Sequence, residues 1–117
     1  MNIQQFASTS TLSASELEDW GKVGLPLSEP PCQLRGKKME IPGKPGADTG
    51  VWECSPGQFR RQIEAAEMMH ILSGECTFTP DTGPTIFAVA GDTLYFPPNT
   101  TGIWDIKSAL RKVYALL

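Results

Sequence analysis

A chain of 117 residues makes a single domain, large enough for one hydrophobic core and too small for two. Ten Lys and Arg against thirteen Asp and Glu give a net charge of −3, which supplies no basic field for nucleic acid or an anionic membrane surface. No apolar run nears the roughly 20 residues that span a bilayer, and Met1 to Trp20 lack the pattern of a secretory leader, so a soluble cytoplasmic protein is expected. Eleven Gly and ten Pro, spread between short apolar runs, exclude a helical bundle and point to an all-β domain. Cys32, Cys54 and Cys76 are odd in number and form no Cys-x-x-Cys pair, which suggests neither a disulfide framework nor a zinc knuckle.

In chain order, residues 1–12 are polar and aperiodic and read as an extended arm. Ser13 with Glu16 three residues on fits a capping box, so a short helix carrying Leu17 and Trp20 on one face is expected to end at Gly21. Pro26, Pro30 and Pro31 make a connector. Cys32 to Ile41 reads as an edge strand, guarded from intermolecular pairing by Arg35, Lys37 and Lys38. Residues 42–50 form a Gly/Pro-rich loop.

From Val51 onward short strands alternate with turns. Val51–Ser55 ends at Pro56-Gly57, a type II turn signal; Phe59–Ile63, Met68–Leu72 and Glu75–Thr79 follow, the last two parted by a turn at Gly74. Pro80-Asp81-Thr82-Gly83 reads as a hairpin, leading to Thr85–Val89, a turn at Gly91-Asp92, and Thr93–Phe96, which stops at Pro97. Gly102–Ile106 and Arg111–Leu116 complete eight or nine strands, the number a jelly roll needs.

The run Gly50-Val51-Trp52-Glu53, the run from Pro56 to Arg60, Glu67 with Ile71-Leu72-Ser73-Gly74, Ala90-Gly91-Asp92, Phe96-Pro97, Trp104 and Arg111-Lys112-Val113-Tyr114 together resemble the cupin superfamily. Within it they are similar to the small cupin domain of ureidoglycine aminohydrolase. The resemblance covers roughly residues 50–117 and implies a cupin jelly-roll barrel there, with residues 1–49 as an arm, a short helix and an edge strand packed on it. It also implies homodimers.

A metal-binding cupin places two His two residues apart, a Glu three or four residues later, and a further His after the Pro of the second motif. Here Glu67 stands at the Glu position, while the His positions fall on Arg60 and Gln62, or on Arg61 and Ile63, and the last on Gly102. One carboxylate does not hold a transition metal, so no metal and no other cofactor is expected. His70, on the opposite strand face from Glu67 by alternation, reads as a structural histidine.

If Glu67 points inward, as the resemblance implies, it needs a cationic partner, for which Arg60 and Lys112 are the candidates. Alternation puts Lys112 and Tyr114 on one face of the last strand, and a Glu67–Lys112 pair would form either an acid/base couple or a structural ion pair. Trp52, Tyr95, Phe96 and Trp104 could wall a pocket for a small planar amide or acid, with Arg60, Gln62, Glu67 and Lys112 as polar anchors and Tyr114 beside them. The favoured reading is a metal-free barrel that binds a small molecule. Its rivals are a hydrolase or lyase of small nitrogen-containing or carboxylate metabolites, similar to ureidoglycine aminohydrolase, and an interaction module whose interior is filled by aromatic side chains.

Overall fold

The computed structural model describes residues 3–117 and contains eight antiparallel strands and two 3₁₀ turns. The strands are β1 (Glu18–Lys22), β2 (Gln33–Lys38), β3 (Asp48–Cys54), β4 (Gly57–Arg60), β5 (Glu67–Pro80), β6 (Ile86–Val89), β7 (Thr93–Phe96) and β8 (Gly102–Leu116). They run in the order β1-β2-β3-β8-β5-β6, with β4 added beside β8 and β7 beside β5.

Two long strands, β5 and β8, make this an all-β jelly roll. Their paired register shifts at Ile71/Ser73, Ser73/Glu75 and Glu75/Cys76, and on either side of those bulges they take different neighbours. The half containing Glu67–His70 and Val113–Leu116 is flanked by β7 and by β3; the half containing Cys76–Phe78 and Trp104–Ile106 is flanked by β6 and by β4. A bulge adds a residue to one strand and bends it, so one strand pair serves two sheet layers. Gly74 sits at this bend with φ +87°, and a Cβ there would run into the Ala109 carbonyl oxygen, which explains a glycine in a strand interior.

Side chains that alternate inward from the two layers fill the core: Cys54, Met69, Ile71, Cys76, Phe78, Phe96, Trp104, Ile106 and Leu110 are all buried. Phe96 stacks on Trp104 with centroids 5.4 Å apart, and Phe78 meets both, edge-on to Trp104 at 5.0 Å. Such aromatic pairs add about 0.5–1.5 kcal/mol each beyond the area they bury. Three expectations change in detail. The helical segment is one 3₁₀ turn, Ala14–Glu16, held by the Ser13 N–H donating to Glu16 Oε2 at 2.9 Å, and Trp20 lies on a strand instead, its indole over Gly36. β2 is not an edge, because β1 pairs with its other side. The turn expected at Gly74 and the break before Arg111 are bends within β5 and β8.

Among the described residues no helix is long and apolar enough to cross a membrane.

Candidate functional site

Glu67 is the first residue of β5, held between Phe96 of β7 and Leu116 of β8, and it points into the barrel with 1 % exposure. Lys112 faces the same interior from the centre of β8, between Trp52 of β3 and Ile71 of β5. Its Nζ lies 2.9 Å from Glu67 Oε2. The other carboxylate oxygen, Oε1, accepts from Arg61 Nη2 at 3.0 Å. One buried carboxylate is thus shared by two buried cations.

Arg61, not Arg60, partners Glu67. Phe59 points into the core, so the next inward position of the alternating strand is residue 61, and the Arg61 N–H continues the ladder by donating to the Gly102 carbonyl at 3.0 Å. Arg61 Nη1 donates to the carbonyls of Ile63 and Thr100 at 3.1 and 3.0 Å, and the guanidinium lies 4.8 Å from the Phe96 ring centroid. Arg60 turns the other way and forms a half-exposed pair with Asp81 at 2.8 Å, which, with the Thr101 hydroxyl, holds the Asp81 carboxyl below the usual range.

Burial acts strongly on this interior. It pulls the Lys112 ammonium below its ordinary pKa, opposed by the charge and hydrogen bond of Glu67. Two indole faces also receive the ammonium: Nζ is 4.2 Å from the Trp52 ring centroid and 5.3 Å from that of Trp104. Beside it, burial raises the thiol of Cys54 and takes that of Cys76 to about 11. All three cysteines are free and fully buried, which leaves them as small apolar fillers.

Two cavities flank the charged cluster. One, of about 230 Å³, is bounded by Trp20, Trp52, Lys38, Asp48, Glu67 and Tyr114. The Tyr114 hydroxyl donates to Asp48 Oδ1 at 2.8 Å, and burial followed by that hydrogen bond raises the phenol pKa. The other, of about 140 Å³, lies between Trp52, Phe59 and Trp104 and meets Arg60, Arg61 and Lys112. Gln62 reaches its rim from an exposed position, its amide lying over Gly24. A larger cavity, of about 460 Å³, lies on the outer face against Arg35 and Glu53, which are already paired with each other.

Of the residues expected to form a pocket, Trp52, Trp104, Glu67, Lys112 and Tyr114 converge, with Arg60 and Gln62 at the rim. Tyr95 does not join them: it stands on the outer face of β7 opposite Met68, 53 % exposed, because Leu94 and Phe96 take the inward positions. His70 also faces outward, Nδ1 sharing a 2.8 Å hydrogen bond with Thr93 Oγ1. Sequence reasoning named Arg61 only as a possible ligand position, and missed Trp20 as a wall.

The donor set does not suit a divalent metal. Among the described residues no three His, Cys, Asp or Glu side chains come together, and Glu67 is already paired with two cations that would repel a metal ion.

Barrel architecture, a Glu at the start of β5 and a Lys on β8 define a cupin whose interior carries ions of its own side chains instead of metal ligands. The chain belongs to the EutQ-like cupin domain family, whose model matches residues 45–114. Among solved structures it is similar to a DUF861-family protein with unknown function from Pseudomonas syringae pv. tomato, with 21 % identity and a TM-score of 0.76 over 86 % of this chain and 44 % of that one. This chain therefore spans less than half of that protein's length. A DUF861-family protein from Thermotoga maritima is 26 % identical over 59 % of this chain and 78 % of that chain, with a TM-score of 0.57. The EutQ protein of Clostridium difficile gives 16 % identity, 78 % and 74 % coverage and a TM-score of 0.64. No curated protein matches the sequence.

Proposed function

We propose that this domain binds a small molecule inside the barrel, beside the Arg61–Glu67–Lys112 cluster, without a bound metal. One observation carries the reading: a buried ion cluster adjoins two cavities, both walled by Trp52 and one of them also by Trp104. A buried ion cluster is often no more stable than well-packed apolar side chains of similar volume, so its presence beside open space favours a use in recognition. The aromatic trio Phe78, Phe96 and Trp104 fills the rest of the interior, which sets a small upper size for the ligand. Glu67 and Lys112, in hydrogen-bond contact, also have the geometry of a proton-transfer couple, so a bound substrate would meet both an acid and a base. The reading likens the chain to a binding barrel first and to ureidoglycine aminohydrolase second.

Thermal-shift titration with small planar acids and amides tests it. A ligand at a hundred times its Kd stabilises the fold by about 2.7 kcal/mol, and Trp52→Leu should abolish the shift. Elemental analysis should find no stoichiometric transition metal. The reading is overturned if neither class raises Tm, or if one equivalent of Mn, Fe, Ni or Zn accompanies each chain.

A further inference from the structure

The 140 Å³ cavity is electrostatically one-sided. Arg60, Arg61 and Lys112 line it, and no Asp or Glu does; Glu67 reaches the ion cluster from the other side and borders the second cavity. Arg61 and Lys112 carry two formal positive charges against the single negative charge of Glu67. Among the described residues, one positive charge in the cluster is therefore unmatched by any side chain in contact with it.

The donors are unmatched as well. Arg61 has a side chain only 1 % exposed, and its Nε–H has no hydrogen-bond partner among the described residues. An orphaned buried donor normally costs about 1–3 kcal/mol, so such groups are uncommon in folded proteins. An ammonium offers three hydrogen-bond donors, whereas Lys112 has one oxygen partner, Glu67 Oε2. The Trp52 and Trp104 rings beside Nζ attract a cation but accept no conventional hydrogen bond.

The complement of this cavity is an acceptor with negative charge and an apolar body. A neutral amide would bring two N–H donors to a wall of cations whose acceptor side chain, Gln62, sits exposed at the rim. A carboxylate brings acceptors alone. We propose that the cavity selects a small organic monocarboxylate, with its oxygens receiving the Arg61 Nε–H and a Lys112 Nζ–H while its apolar part lies against Trp52, Phe59 and Trp104. This deepens the binding function proposed above and rests on it. The anion supplies the missing negative charge, and with it the cluster carries two positive and two negative charges.

The test is an NMR titration of the full chain with benzoate and isobutyrate, with benzamide and isobutyramide as neutral partners of the same shape, and with inorganic phosphate. The carboxylates should bind at least tenfold more tightly than the matching amides. In the unmodified protein the Arg61 Nε–H resonance should move downfield on benzoate addition, a readout that does not depend on a variant folding. Lys112→Met should lower benzoate affinity at least tenfold, while Lys44→Met, in the exposed loop before β3, should leave it unchanged. Amides that bind as well as acids overturn the charge selection and leave the binding barrel standing. Phosphate that binds as tightly as benzoate overturns the part assigned to the apolar wall. If neither acids nor amides bind, this inference and the proposed function fall together.

Discussion

Among the described residues two carboxylates each bridge two cations, on opposite faces of the same layer. Inside, Glu67 joins Arg61 and Lys112; outside, Glu53 on β3 joins Arg35 on β2 and Arg111 on β8, with Arg35 Nε and Arg111 Nε each 2.7 Å from a different carboxylate oxygen. The connectivity is the same and the surroundings differ. Arg35 has a side chain 41 % exposed, whereas every member of the inner cluster is nearly sealed from water. Water and salt reach the outer cluster at its Arg35 end, so that pair contributes little net energy, while Glu53 and Arg111 behind it are largely buried. The inner charges have lost their hydration, so each depends on the other two, and removing one leaves the others uncompensated.

The largest effect should therefore come from Glu67→Leu, which strands two cations in the core: a loss of about 3–5 kcal/mol, read as a lower denaturation midpoint with an unchanged slope. The sharper experiment replaces the whole cluster, Arg61→Leu with Glu67→Leu and Lys112→Met. Removing all three charges together should restore most of that loss, because no unpaired ion remains. If the triple variant is stable yet binds nothing, the cluster is there for recognition. If it is no more stable than Glu67→Leu, the cluster is structural, and the contrast between the two faces disappears.

Glu53→Gln should cost less, about 1.5–3 kcal/mol, the range for hydrogen bonds to charged groups. Most of this would come from Arg111, which is 6 % exposed and is otherwise held through Nη1 by the Thr9 carbonyl of the N-terminal segment. The outer cluster thereby also fastens residues before β1 to the sheet. Limited proteolysis should cut that segment faster in Glu53→Gln than in the unmodified protein, and equal rates would show that Thr9 does not depend on the cluster.

Much of this arrangement follows from period-two alternation. Met69 and Ile71 inward on β5 put Glu67 inward, and Leu110 inward on β8 puts Lys112 and Tyr114 there, so the Glu–Lys pair is legible from residue spacing. The same rule places Arg61 inside through Phe59 and Tyr95 outside through Leu94 and Phe96. Both signals were present in the sequence, but the pull of a motif and of an aromatic side chain outweighed the count. The bends were less legible. Ser73-Gly74 looks like a turn in any local window, and only pairing along both halves of β5 with β8 shows that the chain bends there without reversing. Trp20 was hidden for a different reason. Nothing near it in sequence reveals that its indole covers Gly36, sixteen residues on and in another strand.

The cavities themselves have no sequence signature, since they are the volume that side chains from several strands, β1 to β5 and β8, leave unfilled.

The cysteines offer a way to sharpen the contrast, because they report whether the interior is as dry as the inner cluster requires. Cys54 and Cys76 sit near Lys112, and burial raises both thiols above their ordinary value, as it does that of Cys32. At pH 8 a thiol reagent should label none of the three in the folded protein and all three in denaturant. The sign of the pH dependence follows: a thiol that keeps its proton when folded and loses it when unfolded adds stability below its unfolded pKa of 9.0, and that stability is lost as pH rises beyond it. Lys112 works in the opposite direction, since a lowered ammonium pKa lets stability rise with pH up to its unfolded value of 10.5. Cys54→Ala should therefore flatten the alkaline fall, and Lys112→Met should steepen it by removing the opposing group.

The smallest effect should be that of Arg35→Ala on the outer face. An exposed pair contributes about 0–1 kcal/mol, and Arg111 still holds Glu53 after the change. Salt decides the point. Raising ionic strength from about 0.1 M to 1 M shortens the screening length from about 10 Å to about 3 Å, so the Arg35→Ala difference should fade while the Glu67→Leu difference persists. If the Arg35 effect survives high salt, its two nitrogen contacts with Glu53 Oε1 outweigh its exposure, and the two clusters differ in degree alone. If the Glu67 effect fades, water reaches the inner cluster, and the anion-selective cavity beside it would be open to solvent.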